Sequence, residues 1–222
     1  MKKLGLITIG QSPRTDITPD LEPIFGPDIQ MLQAGALDEL TAREVAALAP
    51  EEGDEVLISK LQDGTTVLLG ERRIYPRLQQ CIDALEEQGA ALILFLCTGS
   101  FPAFKSRVPL VFPCEMLNGT VPTLTGRSRI AAIIPKEEQR EDCQEKWGHD
   151  IQFIQILCAS PYGPPEELDR AAREAAQLDV DLVVLDCMGY TAAMKRRVQQ
   201  LSRKPTILSR TLAARVVTEL LT

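Results

Sequence analysis

Leu92-Ile93-Leu94-Phe95-Leu96-Cys97-Thr98-Gly99 and Leu182-Val183-Val184-Leu185-Asp186-Cys187-Met188-Gly189 are two short apolar runs that end alike, in Cys, one further residue and Gly. Nearly continuous apolar runs of this length read as strands buried on both faces of a parallel sheet, and the Gly marks a tight turn before a helix. A thiol at the carboxyl end of such a strand stands where open α/β sheets bind ligands. The two stretches lie 90 residues apart, from 97 to 187, so the chain is expected to hold two halves of like design.

The rest of the chain extends this pattern. Leu4 to Ile9 is predicted as a first strand, opening into the polar loop Gly10-Gln11-Ser12-Pro13-Arg14-Thr15-Asp16 and a helix near Thr18-Pro19. Ile29 to Leu32 follows as a strand, and Thr41 with Glu44 makes a capping box for a helix that turns Val45 and Leu48 inward. Asp63-Gly64 between apolar runs predicts a hairpin of Val56 to Leu61 with Thr65 to Leu69. From Ile74 the helical spacing of Leu78, Cys81, Ile82 and Leu85 predicts a core-facing stripe, with Glu86, Glu87 and Gln88 outside.

A strand is expected near Val108 to Phe112. The Gly-, Pro-, Thr- and Asn-rich segment 113–126 is expected to connect the halves, with Cys114 in the hinge. A second series begins at Arg129: strands at Arg129 to Ile134, Ile151 to Cys158, Leu182 to Asp186 and Pro205 to Leu208, with helices at Lys136 to Trp147, Glu166 to Leu178 and Thr191 to Ser202 between them. A closing helix runs through Leu212, Val216 and Leu220. Alternation of strands and helices argues a parallel sheet in each half. The expected division is residues 1–112 with 208–222, and residues 113–207.

The 222 residues are 45% hydrophobic, ample for a buried core. A net charge of −7 and a pI near 4.9 argue against a nucleic-acid partner, which needs clustered Lys and Arg. Lys195-Arg196-Arg197 is read as a solvated helix face. The apolar stretch from Leu4 to Ile9 is too short for a signal peptide, and the longest apolar run, Ala90 to Cys97, is far short of the roughly 20 residues that span a bilayer. A cytoplasmic protein without a membrane partner is expected. Six cysteines without CxxC spacing predict reduced thiols, neither a metal site nor a disulfide framework. The phosphate-binding glycine motifs are absent, and no cofactor is expected.

A thiol at a helix start has its pKa lowered from about 8.5 toward roughly 3.5 to 7.5. Cys97 and Cys187 flanking one substrate carbon would remove a proton on one face and return it on the other, general acid–base catalysis by side chains alone. Turn N–H groups would steady the carbanion. Alternatively both are ordinary buried cysteines at strand ends.

The paired cysteine turns, the repeat and the βα alternation resemble the aspartate/glutamate racemase superfamily. More closely, Leu6-Ile7-Thr8-Ile9-Gly10-Gln11-Ser12-Pro13-Arg14, Asp63-Gly64-Thr65 and Leu185-Asp186-Cys187-Met188-Gly189-Tyr190-Thr191 resemble the AroM family over nearly the whole chain. The resemblance implies two flavodoxin-like lobes related by a pseudo-twofold, a site in the cleft between them and a last helix returning to the first lobe. It also implies a homodimer. It implies no established substrate, the family being named for gene context beside shikimate-pathway functions. Amino-acid racemases of the superfamily follow their cysteines with Asn-Thr and Thr-His. Here Thr98-Gly99 and Met188-Gly189 stand instead, the latter nearer the Cys-Ala-Gly turn of hydantoin racemases.

Arg14 is the expected clamp for a substrate carboxylate, since its fork binds one bidentately. Gln11, Ser12 and Thr15 in the same loop, Thr98, Gly99 and Ser100 after the first cysteine, and Gly189, Tyr190 and Thr191 after the second complete the expected contacts. Asp186 is predicted to point away from Cys187. Arg72 and Arg73 are read either as anion ligands or as helix-surface charges, Cys158 as a reserve thiol, Cys81 and Cys143 as core, and His149 as a surface residue. The expected partner is a small carboxylate-bearing molecule, the expected reaction a racemisation, epimerisation or isomerisation. A one-thiol lyase or decarboxylase and a non-catalytic metabolite-binding or regulatory protein stay open.

Overall fold

A computed structural model describes residues 1–124, 129–148, 151 and 153–222; side chains 148 and 153 fall outside the description. The elements in order are β1 (Lys2–Thr8), α1 (Thr18–Phe25), β2 (Ile29–Gly35), α2 (Ala42–Ala46), β3 (Val56–Lys60), β4 (Thr66–Gly70), α3 (Glu71–Glu87), β5 (Leu92–Phe95), β6 (Leu110–Val111) and α4 (Pro113–Leu124). There follow β7 (Arg129–Ile134), a 3-10 turn at Glu137–Gln139, α5 (Arg140–Gly148), β8 (Phe153–Cys158), α6 (Pro165–Gln177), β9 (Leu182–Leu185), α7 (Ala192–Ser202), β10 (Thr206–Leu208) and α8 (Ser209–Leu221). The chain divides into two compact units, Met1–Pro113 with Ala213–Thr222, and Cys114–Leu212.

The first unit is built on a parallel sheet in the order β2-β1-β5-β6. The second has a parallel sheet β8-β7-β9-β10. Counted within each unit, both sheets read second, first, third, fourth strand, the flavodoxin-like winding, so each unit is an α/β lobe of one design. The reversal of strand order falls between β1 and β5 in one and between β7 and β9 in the other. Cys97 and Cys187 each lie two residues beyond the third strand of their sheet, at the carboxyl side of that reversal.

The core follows the apolar runs. Ile7, Ile93 and Phe95 from the sheet meet Ile74, Leu78, Ile82 and Leu85 of α3 in the first unit. In the second, Ala131, Ile133, Val183 and Leu185 meet Leu168, Ala172 and Ala175 of α6 and Val198 of α7, while Leu117, Val121 and Trp147 cover the other face. The Thr41–Glu44 capping box forms, with Val45 buried and Leu48 packed on the core. β3 and β4 pair antiparallel around Gly64, whose φ is 89°, with Asp63 Oδ1 accepting the Thr65 N–H.

Two expectations are corrected here, and the closing helix is formed. The division between the units falls at 113/114, as the expected connection implies, but the segment itself is helix α4 as far as Leu124, and Cys114 is buried on it. Cys114, Leu117 and Val121 recur at helical spacing and face the core, which overrides the poor helix propensity of Asn118, Gly119 and Pro122. Glu86 is not outside: its side chain is 6% exposed and accepts hydrogen bonds from Ser106 Oγ and from the Arg107 N–H and Nε. On α8 the inward residues are Ala213, Ala214, Val217 and Leu221, and Val216 and Leu220 face outward. His149 lies outside the described residues.

Candidate active site

The two cysteine turns share one local geometry. The Gly99 N–H donates to Cys97 Sγ at 3.4 Å, and the Gly189 N–H donates to Cys187 Sγ at 3.3 Å. Close approach by neighbouring side chains suits glycine at both places. A methyl group on Gly99 would stand 2.6 Å from Leu57 Cδ2, and one on Gly189 would stand 2.8 Å from both Pro161 Cγ and the Tyr162 hydroxyl oxygen. A backbone N–H aimed at sulfur favours negative charge there.

The helix expected at Thr191 to Ser202 is formed, and no helix follows Cys97 directly. No helix or strand occurs between Phe95 and Leu110; that segment is anchored by Phe101 and Phe104, whose rings lie 5.3 and 5.7 Å from Phe95. After Cys187, α7 starts at Ala192, with Thr191 as its N-cap accepting the Met194 N–H. Each glycine N–H group is directed at the sulfur two residues before it.

Around these turns the neighbours differ. The site of the added methyl on Gly99 lies 3.5 Å from Glu55 Oε1, so a carboxylate stands beside the Cys97 turn. The Tyr162 phenol stands beside the Cys187 turn. Nothing in the sequence pattern singled out either residue, because both lie in loops far from the cysteines in the chain.

Asp186 turns away from Cys187, as strand alternation requires, and accepts from Lys146 Nζ at 2.8 and 2.9 Å and from Trp147 Nε1 at 3.0 Å. Asp186 holds the Lys146 pKa above its ordinary value despite burial that opposes the charge. Tyr190, expected against a substrate, is fully buried and donates its hydroxyl to the Ala159 carbonyl at 2.6 Å. Burial holds that phenol neutral.

The loop after β1 is organised from within. Asp38 accepts from the Ser12 N–H, the Ser12 hydroxyl and the Gly35 N–H at 2.6 to 2.7 Å. Arg14, expected as an open clamp, is 4% exposed. Its Nε and Nη2 grip Asp16 at 2.8 Å and its Nη1 donates to Thr8 Oγ1 at 2.9 Å. The sequence signal for Asp38 was its place three residues past Gly35 at a strand end, a position where Asp side chains bind loop backbone.

Beside this loop the hairpin of β3 and β4 bounds a pocket of about 480 Å³ lined by Gln11, Arg14, Asp16, Lys60, Gln62 and Asp63 among others. Gln11 Oε1 accepts the Gln62 N–H at 3.0 Å and Gln62 Nε2 donates to the Ser12 carbonyl, which fastens the hairpin to the loop.

Other residues singled out in the sequence have partners within the chain. Arg73 pairs with Glu51 and donates to the Ala47 carbonyl, and Arg72 is exposed beside Glu71. Arg197 pairs with Asp169 on the solvated face of α7. Cys158 donates to Glu137 Oε2 at 2.9 Å; its burial and that carboxylate push the thiol up to about 12. Burial pushes Cys81 up to about 11 and raises Cys143 as well. Among the described residues no three His, Cys, Asp or Glu side chains gather as metal ligands, and no helix is long and apolar enough to cross a membrane.

The fold of two like-wound parallel lobes is shared with solved structures of racemases and an isomerase. The chain is similar over 99% of its length to 92% of the maleate isomerase Iso of Pseudomonas putida S16, at TM-score 0.67 and 15% identity. It is similar over 100% of its length to 88% of the allantoin racemase of Klebsiella pneumoniae, at 0.65 and 15%, and over 99% to 84% of the glutamate racemase of Aquifex pyrophilus, at 0.59 and 14%. No curated protein matches the chain by sequence. Residues 4–221 match the AroM protein family, and the chain belongs to it.

Proposed function

We propose that this protein is a cofactor-independent racemase, epimerase or isomerase of a small carboxylated metabolite, with Cys97 of the first unit and Cys187 of the second as its acid–base pair. One observation carries the reading. The same Gly N–H to sulfur hydrogen bond occurs in both units at the equivalent point of the sheet, whereas Cys81, Cys143 and Cys158 are held as neutral thiols. An arrangement that prepares two sulfurs alike and disables others suits chemistry that needs a thiolate and a thiol. The names of the similar structures, an isomerase and two racemases, support the same reaction class.

Gln11, Thr98, Ser100 and Thr191 are proposed substrate contacts. Ser12, Arg14 and Tyr190 are proposed instead to hold the site's framework. The substrate's carboxylate then needs another cation, and Lys60 in the pocket beside the β1 loop is our choice.

The test is exchange of α-hydrogen for deuterium in heavy water, followed by NMR over a panel of small amino, hydroxy and unsaturated carboxylic acids. Cys97→Ala and Cys187→Ala are each expected to lower turnover by at least about 10²-fold. Exchange undiminished in both variants sinks the reading. Dependence on one cysteine alone identifies a one-thiol lyase or decarboxylase, and tight binding without exchange or product identifies a metabolite-binding protein.

A further inference from the structure

The turn that carries Cys187 is gripped by the first two residues of α8. Ser209 Oγ donates to the Cys187 carbonyl at 2.9 Å. Arg210 donates through Nε at 2.8 Å and through Nη2 at 2.5 Å to the Met188 carbonyl. Arg210 is 1% exposed, a cation taken almost wholly out of water. That placement is costly unless the charge is engaged.

The Met188 C=O and the Gly189 N–H belong to one peptide. In a planar trans peptide these two groups point in opposite directions. Arg210 therefore holds one side of the plane, and Cys187 Sγ accepts the N–H on the other side at 3.3 Å. A cation on the carbonyl polarises the peptide and strengthens its N–H as a donor. The gain is greatest when the acceptor carries a full negative charge.

We propose that Arg210 is a positioning residue that favours the thiolate of Cys187, acting through the Met188–Gly189 peptide, so that Cys187 is the thiol that begins as base. This rests on the proposed role of Cys187, while its test needs no substrate. The other ionisable groups near the turn do not do the same work. Asp186 is directed away and paired with Lys146, and Tyr190 is a buried neutral phenol. The Tyr162 phenol stands against Gly189, and Cys158 is tied to Glu137 and Arg140.

Alkylation of the intact protein by iodoacetamide, read at the Cys187 peptide by mass spectrometry from pH 5 to 10 (roughly the range over which perturbed thiols ionise), reports the ionisation of this sulfur. Arg210→Gln is expected to slow modification of Cys187 at neutral pH by about tenfold and to move its midpoint upward. Arg210→Lys, which keeps the charge but not the fork, is expected to lie between, and Ser209→Ala to keep the wild-type profile. A folded Arg210→Gln protein with an unchanged Cys187 profile overturns the proposal. Because loss of a buried arginine endangers folding, the wild type supplies a second measurement. The Gly189 N–H and Arg210 Nε–H resonances are expected to titrate with the alkylation midpoint and to stop doing so in Cys187→Ser. An Arg210 resonance indifferent to that titration overturns the proposal too. A protein that turns nothing over still reports the sulfur's ionisation, so failure of the enzymatic reading and failure of this one are distinguishable.

Discussion

Lys146 holds both carboxylate oxygens of Asp186, at 2.8 and 2.9 Å, one residue before Cys187. Both side chains are buried, and Trp147 Nε1 completes the carboxylate's shell. The pair fixes the end of β9 and so the start of the turn that presents the thiol.

Breaking that pair on one side should be costly, because the remaining charge stays buried. Lys146→Met is expected to lose about 3 to 5 kcal/mol of stability in urea unfolding. Adding Asp186→Asn removes the orphaned charge but keeps an acceptor for Trp147, so the double variant should recover a good part of the loss. A double variant no more stable than Lys146→Met would show that the pair's charges are not what matters there.

Steric crowding, not backbone strain, favours glycine in the cysteine turns. Gly99→Ala should therefore cost about 1 to 3 kcal/mol by overpacking against Leu57. Combined with Leu57→Val the cost should fall below the sum of the single effects, measured as a coupling energy in a double-mutant cycle. Strict additivity would place the strain elsewhere.

Cys158 tests how far a neighbouring carboxylate silences a thiol. Burial raises its pKa most, and the hydrogen bond and charge of Glu137 raise it further, while Arg140 Nη2 at 3.8 Å opposes them. Glu137→Gln leaves the arginine and removes the negative charge, so the thiolate fraction at pH 8 rises. Alkylation of Cys158 at that pH should quicken by about tenfold, one unit of pKa. An unchanged rate would mean that burial alone keeps this thiol inert.

Much of the scaffold was readable because it rests on local rules. The capping box at Thr41 and Glu44, the Asp63-Gly64 hairpin and the stripe of α3 are each decided within a few residues. The equivalence of Cys97 and Cys187 was readable from one repeated turn. What escaped notice depends on partners distant in the chain. Arg210 meets a carbonyl 22 positions away, and Glu86 meets Arg107 across 21. Arg14 has a partner that the pattern did not suggest: Asp16, two residues on, accepts from its Nε and Nη2. Helix α4 formed against its own propensities because the core of the second unit needed Leu117 and Val121.

Glu86 links acid stability to the segment that follows Cys97. Its hydrogen bonds from Arg107 and Ser106 hold the carboxyl at about 2, below the ordinary value near 4.3. The unfolded chain therefore takes up the proton first, so the contact's contribution is complete above about pH 4.3 and is lost as pH falls toward about 2. Glu86→Gln should lower Tm at pH 7, and its difference from wild type should shrink steadily between those two values. A difference that stays constant down to pH 2 would mean that the charge of Glu86 carries none of the stability. Since Glu86 fastens Ser106 and Arg107 to α3, amide exchange at 105–108 should speed in the variant at pH 7 and in the wild type only in acid. The aromatic anchor of Phe101 and Phe104 needs no charge, so exchange at the Cys97 turn itself should lag behind.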